Sequence, residues 1–256
     1  MDLTKAAVGA GVVVLTVGGG YGVSTMFGKE PIHIQSATTD KFGEDFQFHF
    51  MDASDDKNDS WWQTRFEKLK SGDDTNSSNE FKKTAITGFE KLKEACKKVY
   101  TEKATKTDVH PNTDSDNTKA NYEKDIWDFC SIDGFKPRTI KEAGEEDKNG
   151  YTDTKIGKTK STLLVSIHDK GNEKFWERQA RAFHKRKSSD GKQEVDGLGK
   201  RSQTGSSDFK ELYEKQENER TVKALKDTCE KRYKEGSDTN NDKYTLMFCS
   251  LQGKQE

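Results

Sequence analysis

Apolar residues are spread very unevenly along this chain. From Ala6 to Phe27 no charge interrupts the run AAVGAGVVVLTVGGGYGVSTMF. As a helix rising ~1.5 Å per residue it would span ~33 Å, enough for a bilayer core of about 30 Å. The pattern predicts an N-terminal transmembrane helix in residues 1–29, crossing the membrane through residues 6–27. Lys5 precedes the run, while Lys29 and Glu30 cancel after it. That asymmetry favours a cytoplasmic N-terminus and a C-terminal body on the outside. A cleaved signal peptide ending near Gly22-Val23-Ser24 is the competing reading, and it also puts the body outside. Gly18 and Gly22 have the spacing of helix pairing in membranes, although glycine is common in such helices.

Beyond Glu30 the apolar positions become sparse but periodic. Phe81, Ala85, Phe89, Leu92, Cys96 and Val99 fall on one stripe of a helix, which puts Cys96 on a buried face. Val222, Leu225, Cys229 and Tyr233 repeat that stripe. The likeness is literal: LKEACKKVY at 92–100 answers LKDTCEKRY at 225–233, and FCSIDG at 129–134 answers FCSLQG at 248–253. Upstream, Trp61-Trp62 is matched by Phe175-Trp176. The alternating triplet Phe46, Phe48, Phe50 is matched by Leu163, Val165, Ile167, as short strands or apolar plugs. Four features in one order make the body a tandem duplication.

The expected fold is mainly α: the N-terminal transmembrane helix, then two tandem small helical modules with one disulfide each. Residues 30–136 form copy 1. Residues 137–158, with Pro137 and a Lys/Glu/Gly-rich stretch, read as a linker. Residues 159–256 form copy 2. The copies differ in length at 101–118 and 188–207, polar stretches that suit surface loops. Asp59 or Ser60 is placed to cap the tryptophan helix, and Ser207 or Asp208 the long helix of copy 2.

Composition sharpens this reading. Charged residues make up 35% of the chain and apolar ones 30%, much of the latter in the N-terminal run. So polar a body is near the lower limit of what buries enough surface to fold. Its four cysteines, two per copy and outside the cytoplasm, read as the disulfides Cys96–Cys130 and Cys229–Cys249. Each would contribute about 3–4 kcal/mol in the chain-entropy model. Reduced core thiols and cross-copy pairing are the alternatives. Zinc ligation lacks its usual CxxC or histidine partners. Forty-four Lys and Arg face 45 Asp and Glu, interleaved throughout, so no nucleic-acid partner is indicated. The one dense basic run, Lys185-Arg186-Lys187, reads as a solvated helix end.

The sequence carries no catalytic signature. His33, His49, His110, His168 and His184 form no HxxxH or HExxH pattern, and no phosphate loop is present. Glu145-Glu146 sits in a charged stretch with nothing to shift its pKa. Trp62, Trp127 and Trp176 read as core rather than as a ligand platform. No cofactor and no metal site is expected.

An uncharged N-terminal span, a tryptophan helix, LK-x-x-C-x-x-x-Y and an aromatic-Cys-Ser ending together resemble the large paralogous families of uncharacterised membrane-anchored proteins of haemotropic mycoplasmas. MDLTKAAVGAGVVV is similar to their start, and Leu92-Lys93, Cys96, Phe129-Cys130-Ser131 and their copy 2 partners carry the rest. The resemblance implies a surface-exposed protein of a wall-less bacterium living on host cells, and implies no activity. The expected function is display at the cell surface, contacting a host cell-surface or plasma protein or serving as an antigen. The alternatives are an envelope hydrolase and a self-associating structural envelope protein.

Overall fold

The structure, a computed structural model, describes residues 31–253 apart from 112, 114, 188–191 and 205–206. The predicted membrane segment and its Gly18/Gly22 pair lie outside the described residues. Among the described residues no helix is long and apolar enough to cross a membrane.

The first module runs through α1 (Phe42–Asp45), α2 (Asp59–Ser71), α3 (Phe89–Glu102) and α4 (Asn117–Cys130). The second runs through α5 (Glu145–Lys148), α6 (Ile156–Thr159), α7 (Glu173–Phe183), the hairpin strands β1 (Arg186–Lys187) and β2 (Glu194–Val195), then α8 (Asp208–Glu214), α9 (Val222–Tyr233) and α10 (Thr239–Cys249). The mainly helical expectation therefore holds. A disulfide ties α3 to the end of α4 through Cys96–Cys130, with Cα atoms 5.7 Å apart. Cys229–Cys249 ties α9 to the end of α10 at 5.9 Å. These are the pairs read from the sequence, over separations of 34 and 20 residues.

The duplication extends to individual hydrogen bonds. In module one a central extended strip receives both neighbours: Ile34 N–H donates to Phe50 O (3.0 Å) and Met51 N–H to Cys130 O (3.1 Å). Module two repeats this with Ile140 to Leu164 O (2.9 Å) and Val165 to Cys249 O (3.0 Å). The alternating triplets thus contribute isolated β-bridges. Their register differs from the one expected, because Met51, not Phe48, is the counterpart of Val165. The shift leaves Phe48 36% exposed.

The repeated motifs now have physical roles. One turn after the first cysteine, Tyr100 Oη donates to Cys130 O at 3.2 Å and Tyr233 Oη to Cys249 O at 3.0 Å. The lysine of the LK pair bonds the start of the tryptophan helix: Lys93 to Asp59 at 2.6 Å, Lys226 to Glu173 at 2.9 Å. The serine after the second cysteine turns the chain by accepting from Gly134 N–H (2.9 Å) or Gly253 N–H (3.1 Å). Both glycines have positive φ, +74° and +65°, a backbone region that L side chains rarely adopt. Trp62, Trp127 and Trp176 are fully buried.

Three expectations need correction. Residues 137–158 are not a free linker but the opening of the second module. Ile156 N–H donates to Glu235 O at 2.9 Å, just as Phe42 N–H donates to Lys103 O at 2.8 Å. Ile140, Ala143, Tyr151 and Ile156 are buried, and so is Asp147. Second, the cysteine stripe of copy 1 does not run as a single helix, whereas Val222, Leu225, Cys229 and Tyr233 of copy 2 all lie in α9. Gly88 breaks the copy 1 stripe in an extended conformation, leaving Phe81 in a separate turn (Asn79–Phe81). In module two, Ser207 caps α8 and Thr221 caps α9. Third, Asp59 and Ser60 lie inside α2, and it is Asp55 that accepts from Lys57 N–H ahead of the helix.

The modules meet at a junction that includes Arg178 and His49. Arg178 on α7 donates to Asp133 at 2.5 Å, to Phe48 O at 2.6 Å and to His49 Nδ1 at 3.1 Å. The His49 ring stacks on Phe175, centroids 5.7 Å apart and planes 11° from parallel. The apolar core is continuous through this junction.

Candidate functional site

Beside that junction lies a cleft of about 490 Å³. Module one contributes His33 and Phe48, edge to face at 5.1 Å. The α7 helix contributes Arg178, Gln179, Arg181 and Ala182, spaced so that one helical face lines the wall. Met247 and Gln252 also line it, as does the insertion after α7. A volume of this size suits a small ligand.

That insertion explains the cleft's polarity. The run Lys185-Arg186-Lys187, expected as a helix end, instead follows the end of α7 at Phe183, and Arg186 pairs with Val195 in the hairpin. Gly197 lets the returning chain cross α7 closely, since a Cβ there would lie 2.2 Å from His184 O. The next turn (Leu198–Thr204) then places Lys200 and Arg201 over the cleft. Among the described residues five cations, Arg178, Arg181, Arg186, Lys200 and Arg201, line it against one acid, Asp196. Asp196 is engaged by Lys200 and by the Tyr213 hydroxyl, which lower its pKa. Arg178 is engaged by Asp133. Burial would raise that carboxyl's pKa, but Arg178 overcomes it and holds it below the usual range. Among the described residues Arg186 and Arg201 have no acidic partner, and both are exposed. In a chain of net charge −1, this is a local concentration of positive charge that a linear reading of interleaved signs does not show.

Of the five histidines, only His33 and His49 border the cleft. Burial, with the Arg178 guanidinium alongside, pulls the His49 pKa down to about 3, so it is neutral at ordinary pH. His168 borders a second, shallow depression, 3.6 Å from Glu230 and 4.0 Å from Asp147. The fully buried Ser166 donates to Asp147. There the carboxylate stands between serine and histidine, whereas nucleophilic catalysis needs the histidine between them. The site residues named from the sequence, the four cysteines, serve the fold and do not border the cleft. The cleft residues escaped the linear reading because Phe48, Arg178, Arg186 and Arg201 are distant in sequence. Among the described residues no group of His, Cys, Asp or Glu is arranged to hold a metal ion.

No known family, curated protein or solved structure matches this chain.

Proposed function

We propose that this protein is a non-catalytic binding protein displayed outside a cell membrane, anchored through residues 6–27, and that it presents the junction cleft to a host cell-surface or plasma molecule. The observation that carries the reading is the cleft itself. It pairs exposed cations with an exposed aromatic ring, surface that contributes little to the core and suits a ligand. The two disulfides support an extracytoplasmic body, and the uncharged N-terminal run supports the anchor.

The test uses purified full-length chain in detergent, exposed to erythrocytes and to immobilised plasma proteins. Retention on at least one of these is expected, and Ala182→Trp, which fills the cleft from α7, should weaken it at least tenfold. Absence of retention on both sinks the reading.

A further inference from the structure

The chemistry of the cleft names a class of ligand, on the reading that it is a binding site. We infer that the cleft binds a saccharide bearing a carboxylate or sulfate group. The anionic group would pair with Arg186 and Arg201, and the sugar ring would lie against Phe48.

The two arginines carry the first half of the argument. A guanidinium forks two N–H groups toward a planar or tetrahedral oxyanion, and such pairs are the stronger hydrogen bonds in proteins. Arg186 and Arg201 are the cleft cations with no acidic partner among the described residues. They arrive on two different pieces of one insertion, the hairpin and the turn Leu198–Thr204. Nothing in the folding of the core requires a guanidinium at either place.

The contribution of module one to the lining carries the second half. Phe48 is one of only two large hydrophobic side chains exposed among the described residues. It is fixed edge to face against His33, so its ring is held rather than free to collapse. An aromatic face covers the C–H face of a sugar ring without needing a charge. Gln252, half-buried in the lining of the cleft, has no hydrogen-bond partner among the described residues and offers an amide to ring hydroxyls. The open cleft of about 490 Å³ has room for one or two sugar rings. An extended nucleic acid would need a basic track along the surface, and the chain as a whole is balanced in charge.

The experiment measures binding of full-length protein in detergent to four probes: a sulfated heparin disaccharide, 3′-sialyllactose, neutral lactose and inorganic sulfate. Binding of one or both charged saccharides, with lactose and sulfate at least tenfold weaker, is the expected result. The double substitution Arg186→Ala/Arg201→Ala and the single Phe48→Ala should each weaken binding by about tenfold or more. Unchanged far-ultraviolet dichroism and melting temperature would show these variants folded. Binding of 3′-sialyllactose, whose only anionic group is a carboxylate, assigns the carboxylate; binding of the heparin disaccharide alone, which adds sulfate to a carboxylate, assigns the sulfate. No saccharide binding, or binding that survives the arginine double substitution, overturns the inference. Inorganic sulfate binding as well as the saccharides, with no effect of Phe48→Ala, overturns it too, since the site would then hold a bare anion. If the double variant still adheres to cells like the parent, the display reading stands and only the saccharide assignment falls.

Discussion

Asn58 and Asn172 occupy the same position in the two modules and make the same three bonds. Asn58 Oδ1 accepts from Ile32 N–H at 2.8 Å, and its Nδ2 donates to Ile32 O at 2.7 Å and Asp52 O at 3.0 Å. Asn172 bonds Arg138 N–H at 2.8 Å, Arg138 O at 2.8 Å and Ser166 O at 3.0 Å. Both residues are 1% exposed, and each pins the opening strand of its module to the tryptophan helix. Removing the amide leaves the Ile32 or Arg138 N–H unpaired, at a cost of about 1–3 kcal/mol, and takes one bond of about 1 kcal/mol from each of two carbonyls. Those carbonyls keep their bonds from Asp52 or Ser166 N–H and from the Trp62 or Trp176 indole. Asn58→Ala and Asn172→Ala should therefore each lower stability by about 2–4 kcal/mol in urea unfolding. A loss under about 0.5 kcal/mol in either would show that these bonds do not hold the strand.

The disulfides should matter comparably. Cys96→Ala/Cys130→Ala and Cys229→Ala/Cys249→Ala each remove a constraint on the unfolded chain worth about 3–4 kcal/mol. Both pairs should shift the urea midpoint downward, and reductant should do the same to the parent protein. A parent midpoint insensitive to strong reductant would mean the helices are held together without the bonds.

The junction should make the protein acid-sensitive. His49 stays neutral in the fold down to about pH 3, while in the unfolded chain it protonates near its ordinary 6.5. Its folded pKa is depressed, so between these values the unfolded state binds more protons and stability falls as pH falls, by roughly 1.4 kcal/mol per unit. Asp133, also held low by Arg178, adds a further loss only below the ordinary carboxylate range. Between pH 7 and pH 5 the parent should lose about 2 kcal/mol that His49→Gln does not lose. Parallel stability curves for the two proteins over that interval would refute the assignment.

Arg178 and Asp133 form a largely buried pair, with side chains 13% and 10% exposed. Arg178→Met strands the Asp133 carboxylate and should cost about 3–5 kcal/mol. Adding Asp133→Asn should recover much of that loss, because the orphaned charge is gone. A double variant as unstable as the single would mean that Arg178 acts through its packing and its bonds to Phe48 O and His49, not through the Asp133 charge.

Much of the internal order was legible because it rests on short, literal repeats. Cys96, Tyr100, Cys130 and their counterparts sit at spacings that a helix turns into facing positions, so pairing and burial followed from periodicity. What was hidden depended on long-range context. The register of the β-bridges hangs on Met51 rather than on the more conspicuous Phe46, Phe48, Phe50 alternation. Residues 137–158 look like a linker since Ile140, Ala143, Tyr151 and Ile156 are the buried apolar residues that anchor them, and four so irregularly spaced in a charged stretch give no periodic signal. The cleft is assembled from six separate stretches, and no local pattern announces that they meet.

The insertion that carries β1, β2 and the turn Leu198–Thr204 belongs to the second module alone. In the first module the chain passes from α2 to α3 with only the turn Asn79–Phe81 between them. Phe81 packs on Phe129 as Phe209 packs on Phe248, yet nothing there corresponds to Arg186 or Arg201. A duplicated scaffold would ordinarily offer two equivalent pockets and bivalent attachment. Here the stoichiometry should be one: calorimetric titration ought to saturate at a single ligand per chain, and avidity would have to come from the density of copies on a membrane.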